Sequence, residues 1–361
     1  MNKIYVTMAS YYQPKLVCYF TNWSQYREDA EFTPEDIDVS LCTHVIYAFA
    51  KVKNGVLVHT DDNDIKGKPK GMYERVTSLK KSKPDLKVLL SVGGWVHGSK
   101  PFTDMVETPQ GIKHFTREAV KYLKRHNFDG LDVDWEYPTM RGSPPEDRNN
   151  FTRLMKELKT TLQSEQLLLT AAVSAAGQDV IEAAYDVRKL AECVDFFCLM
   201  AYDFQGKSKT GLCSPLPEQE KAVGHWVDKG AAADQIVLGC AMYGRSFTLK
   251  NSHDNEIGAD VKEKGEGGEL TREPGMLAYY EIAQRLSEGT WKAFYHPVQK
   301  ACYAYKGNQW VGYDDPDSIK EKARYIRRRG LAGAMVWSLD LDDFRGKRYP
   351  LLRAMHEELN K

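Results

Sequence analysis

Three acids stand at alternate positions in one short run, Asp129-Gly130-Leu131-Asp132-Val133-Asp134-Trp135-Glu136-Tyr137-Pro138. In an extended strand alternate side chains share a face, so Asp132, Asp134 and Glu136 point one way and Leu131, Val133 and Trp135 the other. Three carboxylates stacked between apolar walls repel one another if all are ionised. Proton sharing or strong hydrogen bonding must relieve that repulsion, and at least one pKa has to rise. A Glu kept protonated in this way can give its proton to the oxygen of a leaving group. Glu136, the last of the three, is then the proton donor, Asp134 the partner that holds or releases the proton, and Asp132 the deeper support. Two plainer readings compete: a solvated acidic loop or structural hydrogen-bond network, and a Mg²⁺ or Ca²⁺ site. The run supplies no dedicated calcium loop and no cluster of His ligands. Acid catalysis without a metal or other cofactor is the expectation.

Such a strand needs a frame that brings its end to a mouth. Short apolar or alternating runs recur at residues 16–20, 44–50, 87–93, 130–136, 167–174, 194–203, 236–242 and 331–339. Helical patterns lie between them: Ile112, Phe115, Ala119, Tyr122 and Leu123 share about one face, as do Phe151, Leu154, Met155, Leu158 and Leu162. Asp315-Pro316 has the form of an N-cap followed by Pro at the first helical position, and Gly330 of the stop. Parallel strands buried on both faces need helices packed outside them. A closed (β/α)₈ barrel satisfies all eight strands and leaves no edge, with its active site at the C-terminal mouth. An open doubly wound sheet remains the alternative on periodicity alone. The interval between the seventh and eighth runs is far longer than a crossover loop. It reads as a small inserted α+β subdomain at 243–313, between barrel segments at 14–242 and 314–361.

Bulk properties narrow the partners. Lys plus Arg and Asp plus Glu are 50 each, so the formal net charge is zero. That balance gives no support for a nucleic-acid partner. No stretch of 18 apolar residues is present, so no membrane span is expected. The opening MNKIYVTMASYYQPK does not look like a secretory signal. Asn22-Trp23-Ser24 and Asn150-Phe151-Thr152 fit the glycosylation pattern and are compatible with export.

With its acids in the order Asp129, Asp132, Asp134 and Glu136, the chain resembles the catalytic module of family 18 glycoside hydrolases, the animal chitinases. The likeness extends from Leu16-Val17-Cys18-Tyr19-Phe20-Thr21-Asn22-Trp23 to Trp337-Ser338-Leu339-Asp340. It includes Ser91-Val92-Gly93-Gly94-Trp95, Met200-Ala201-Tyr202-Asp203 and Met242-Tyr243-Gly244-Arg245. The resemblance implies a TIM barrel with an α+β insertion, acting as a secreted protein on chitin or chitooligosaccharides; nothing in the sequence requires self-association, so a monomer is expected. It implies retaining hydrolysis in which Glu136 protonates the glycosidic oxygen and the substrate's acetamido group attacks, an exception to the usual pair of enzymic carboxyls. Asp134 would orient the acetamido nitrogen, and Tyr202 its carbonyl oxygen. Trp337 would floor the reacting sugar; Trp95, Tyr19, Tyr137 and Tyr243 would wall the groove. Met200 would fill space beside the sugar, and Asp203 and Arg245 would make polar contacts. Cys18 and Cys42 would form a disulfide.

Three departures from that pattern stand out. The segment Asp203-Phe204-Gln205-Gly206 is followed by Lys207-Ser208-Lys209-Thr210, where many animal relatives carry a Trp. A late cysteine pair is missing at Ala283 and the turn at 345–348. No separate carbohydrate-binding domain is visible. The main competing class is a chitinase-like lectin, which binds oligosaccharide without cutting it and typically lacks the terminal Glu that is present here as Glu136. An inert barrel serving as a protein-binding module is a third class.

Overall fold

A computed structural model of the chain describes residues 13–68 and 70–361; most of the opening run, and with it the reading of a missing secretory signal, lies outside them. Eight parallel strands form a ring: β1 (Lys15–Thr21), β2 (His44–Lys53), β3 (Lys87–Gly93), β4 (Gly130–Asp134), β5 (Leu168–Ser174), β6 (Phe196–Met200), β7 (Ile236–Ala241) and β8 (Gly333–Trp337). β1 pairs with β2 on one side and with β8 on the other, so the ring is closed and the open sheet is excluded. Apart from the inward Asp132 and Asp134 of β4, the strands are largely apolar on both faces, for a reason visible in the packing. Val17, Ile46, Leu89, Phe196, Val237 and Met335 fill the barrel interior. Residues on the opposite faces of the strands, among them Phe20, Val45, Leu90, Leu131 and Val133, join the layer beneath the helices.

The helices keep to their expected faces. Pro109–Arg125 buries Ile112, Phe115, Ala119 and Leu123, and Thr108 caps it by accepting from the Gly111 amide at 3.0 Å. Asp147–Ser164 buries Phe151, Leu154, Met155, Leu158 and Leu162. Pro316–Arg329 begins where the Asp315 carboxylate accepts from the Ser318 amide at 2.8 Å, and ends on Gly330 at φ 67°. Regular strand structure stops earlier than the runs 130–136 and 194–203 suggest. β4 ends at Asp134, and β6 ends at Met200, three residues before Asp203 takes a left-handed φ of 62°.

A second sheet of six strands is drawn from the long interval before β8. Tyr243–Leu249 is its centre, paired antiparallel with Val261–Lys264, Met276–Ala278 and Gln309–Tyr313; Ala301–Lys306 and Lys292–His296 continue it outward. Two small cores, one around Phe247 and Trp310, the other around Leu277, Ile282 and Val311, line its two faces. Burial of these residues makes the interval a folded unit instead of a loop.

Two expectations are corrected by local structure. Cys18 and Cys42 are not joined: both are buried free thiols. Each satisfies itself on a nearby carbonyl, Cys18 Sγ on Leu16 O at 3.8 Å and Cys42 Sγ on Asp38 O at 3.7 Å. Asn22 is not a surface acceptor either. It is buried in the short turn Asn22–Tyr26, its amide directed at Asp64 at 3.5 Å.

Candidate active site

The site forms where β3, β4 and β5 end side by side. Register sets Ser91 beside Asp132 and Gly93 beside Asp134. A Cβ on Gly93 would lie 2.1 Å from the Asp134 carbonyl oxygen, so only glycine lets the two strands meet there, with φ at 115°. The Gly94 amide then donates to that same carbonyl at 2.8 Å.

The alternation within β4 has the predicted sense. Leu131, Val133 and Trp135 belong to the helix-side core, and the carboxyls face the barrel axis. Asp132 is fully buried and accepts three hydroxyls: Tyr19 and Ser91 on Oδ2 and Thr170 on Oδ1, each at 2.7 Å. Burial raises its pKa, and the three donors pull it only part of the way back. Asp134, one layer up, is 3% exposed, and its Oδ1 has no partner at all. Burial first, then the charges of Glu136 and Asp132, push its pKa well above the ordinary carboxylate range.

Glu136 follows at the mouth, half-buried. Burial raises its pKa too; a hydrogen bond from Tyr137 and the Arg141 charge oppose that shift, and the Asp203 charge adds to it. Both acids of this pair therefore have raised pKa values, with burial the largest cause for each. The nearby phenol Tyr202 stays protonated, because burial and the surrounding carboxylates raise its pKa.

Aromatic rings pave the mouth. Met200, Tyr202, Trp337 and Phe49 pack on the top layer of the barrel interior. Trp337 is half-buried, stacked against Phe49 at 5.8 Å, with Trp23 6.2 Å away. Trp23 is 44% exposed and stacks on Phe49 at 6.0 Å. Neither Trp23 nor Phe49 is among the residues expected from sequence. Trp95 is the most open ring of the rim at 59% exposed. Tyr137 is half-buried beside Glu136.

Two expected wall residues turn out to be supports. Tyr19 is 1% exposed, inside the barrel beneath Trp337 at 5.3 Å, where its hydroxyl serves Asp132. The inward face of β1 puts it a layer below the mouth. Tyr243 is also buried, and its hydroxyl donates to Asp203 Oδ1 at 2.8 Å. The same carboxylate takes both arms of Arg245, Nε at 2.7 Å and Nη2 at 2.5 Å. Arg245 stands in the second sheet and Asp203 on the loop after β6, so this bidentate pair ties the insertion to the barrel mouth. The run Lys207-Ser208-Lys209 is exposed, and Lys209 pairs with Asp260 at 2.9 Å.

The chain belongs to the glycosyl hydrolases family 18, whose family model matches residues 15–342. It is 44% identical to the mouse (Mus musculus) protein chitotriosidase-1 over 374 residues, covering 96% of this chain and 78% of that protein. Among solved structures it is similar to catalytic domain 2 of the Ostrinia furnacalis Group II chitinase, with a TM-score of 0.91 and 37% identity over 96% of each chain. It is also similar to human YKL-39, described as a pseudo-chitinase with retained chitooligosaccharide binding properties. That likeness has a TM-score of 0.89 and 40% identity over 97% of this chain and all of the other.

Proposed function

We propose that this protein hydrolyses β-1,4-linked N-acetylglucosamine polymers with retention of configuration, using the substrate's own acetamido group as nucleophile. The observation that carries the reading is the pair of Asp134 and Glu136. One has a buried, unpartnered oxygen, and the other a raised pKa at an open mouth. A protonated Glu136 donates to the bridging oxygen as the bond to the anomeric carbon breaks. The acetamido carbonyl oxygen attacks that carbon from the same sugar, giving an oxazolinium ion. The free Asp134 Oδ1 accepts from the acetamido N–H and its charge balances the cation. Tyr202 donates to the acetamido oxygen and aligns it, which replaces a chance encounter by a unimolecular step. Water then opens the ring, with Glu136 as base. Asp132 and its three hydroxyl donors hold Asp134 from below.

Trp337 carries the reacting sugar, with Phe49 and Trp23 extending that surface and Trp95 and Tyr137 on the opposite rim. Met200 fills the space beside the sugar, and the Asp203–Arg245 pair, supported by Tyr243, offers polar contacts. Residues 243–313 act as an inserted unit that lends one wall to the groove. Family kinship supports action outside the cell; the buried Asn22 gives that placement no support. We take the acting unit to be a monomer.

The second reading is an oligosaccharide-binding lectin, favoured by the likeness to YKL-39 and by the Lys207–Lys209 run where a groove Trp is absent. Incubation of the folded protein with N-acetylglucosamine hexamer across acidic and neutral pH separates the two. Release of shorter oligomers is the expected result. Tight binding with no release selects the lectin.

A further inference from the structure

One side chain that the chemistry above does not use joins the acid's own segment to the most exposed indole of the rim. The guanidinium carbon of Arg141 lies 3.7 Å from the centre of the Trp95 ring. Its Nη1 donates to the Trp95 carbonyl at 2.7 Å and to the Glu136 carbonyl at 3.1 Å. A single planar cation thus touches the loop after β3 and the loop after β4 together. Arg suits this position because it offers a flat face to an aromatic ring while its N–H groups reach carbonyls in the same plane; a Lys ammonium cannot do both.

The two loops are already stitched at their bases. The single Ser99 hydroxyl proton is shared between the carbonyls of Tyr137 at 3.2 Å and Met140 at 3.0 Å, and Ser99 Oγ accepts from Trp135 Nε1 at 3.0 Å. Nearer the tip, His97 Nε2 accepts from the Val52 amide at 3.0 Å and its ring packs on Phe102, while Trp95 and Val96 stand outside these contacts. Val96 is 97% exposed, and Gly93, Gly94 and Gly98 all have positive φ. An indole on such a tip has little packing of its own to fix its plane, and a platform that must be ordered by the ligand weakens binding by the entropy of that ordering. Arg141 occupies one face of the ring and anchors its backbone, leaving the other face open.

We propose that Arg141 is a positioning residue for sugar binding: it holds the Trp95 indole as a preset platform, in register with the Glu136 segment. The inference rests on the sugar-groove reading above. It adds that the platform's orientation is set by a residue that contributes through Trp95.

A double-mutant cycle on oligomer affinity tests it without depending on turnover. In a Glu136→Gln background, hexamer binding is measured by calorimetry for the parent, Arg141→Ala, Trp95→Ala and both together. Arg141→Ala is expected to weaken hexamer binding about 5-fold, in the range of an exposed cation–aromatic contact. Added to Trp95→Ala it should change affinity by less than about 2-fold, since nothing then remains to be positioned. Arg141→Gln, with a planar donor on a shorter stem, should recover part of the loss. Unchanged affinity in Arg141→Ala overturns this inference alone, as does an equal loss with and without Trp95, which would mean that Arg141 contacts the sugar itself. A Glu136→Gln parent that binds no hexamer overturns the groove reading and this inference with it.

Discussion

Of the buried carboxylates in this molecule, Asp314 and Asp134 are treated in opposite ways. Asp314, under the second sheet, is matched on every side. Its Oδ2 receives Lys322 Nζ and, at 2.5 Å, Ser214 Oγ, while Oδ1 receives Ser318 Oγ at 2.7 Å. Lys322 is itself fully buried and also donates to Ser214 at 3.0 Å. Asp134, in the barrel mouth, has like charges for neighbours and an oxygen with no donor. A buried charge that is paired and hydrogen-bonded is a structural joint. One left short of partners is held at a cost by the surrounding fold, and its missing partner is most simply the substrate.

The difference yields separable outcomes. The largest belongs to Glu136→Gln, which removes the proton donor while keeping the shape. Oligomer cleavage should fall by about 10²–10⁴-fold, with hexamer affinity and melting temperature near the wild type. Cleavage at the wild-type rate would detach the acid strand from the chemistry. Next is Lys322→Met, which strands the Asp314 charge in the interior. Unfolding in urea should show a loss of about 3–5 kcal/mol, and sugar affinity of the folded fraction should be unchanged. A wild-type midpoint would erase the contrast between the two sites.

Asp134→Asn probes the same contrast from the other side. Turnover should drop by roughly 10–100-fold, with part of the sugar affinity kept. Stability should move the opposite way from Lys322→Met. Because burial and like charge raise the Asp134 pKa, the folded state keeps this proton to higher pH than the unfolded chain does. Its contribution to stability is therefore full below about pH 4 and declines as pH rises through the folded pKa. Asn has no such proton to lose. The variant's melting temperature should fall less steeply with pH than the wild type's, and an equally steep fall would show Asp134 to be satisfied by some other group.

Sequence periodicity revealed most of the frame and less of the site's depth. Barrel strands were legible because burial on both faces makes them continuous apolar runs, as in Leu168–Ser174. Closure was not, since a run of strands reads alike in a ring and an open sheet; pairing of β1 with β8 decides it. Alternation placed Asp132, Asp134 and Glu136 on one face correctly. It does not give the layer at which a ring sits, so Tyr19 and Tyr243 were expected in the groove wall and lie beneath it. Trp23 sits inside the pattern Asn22-Trp23-Ser24, which reads as a glycosylation signal. It follows the C-terminal end of β1 as Trp95 follows that of β3, and strand-end position alone would have found it. Arg141 carries no comparable signal, because its partners, the Trp95 ring and two backbone carbonyls, are brought near only by folding.

The claim on which the chemistry stands is that the first bond to the anomeric carbon comes from the sugar's own acetamido oxygen. Proton NMR of hexamer digestion, read before mutarotation equalises the anomers, tests the retention of configuration that this route requires. Two inversions in sequence predict that the new reducing end appears first as the β anomer. An initial α anomer would mean that water attacked the glycosidic carbon in one step, and the roles given to Asp134 and Tyr202 would fall.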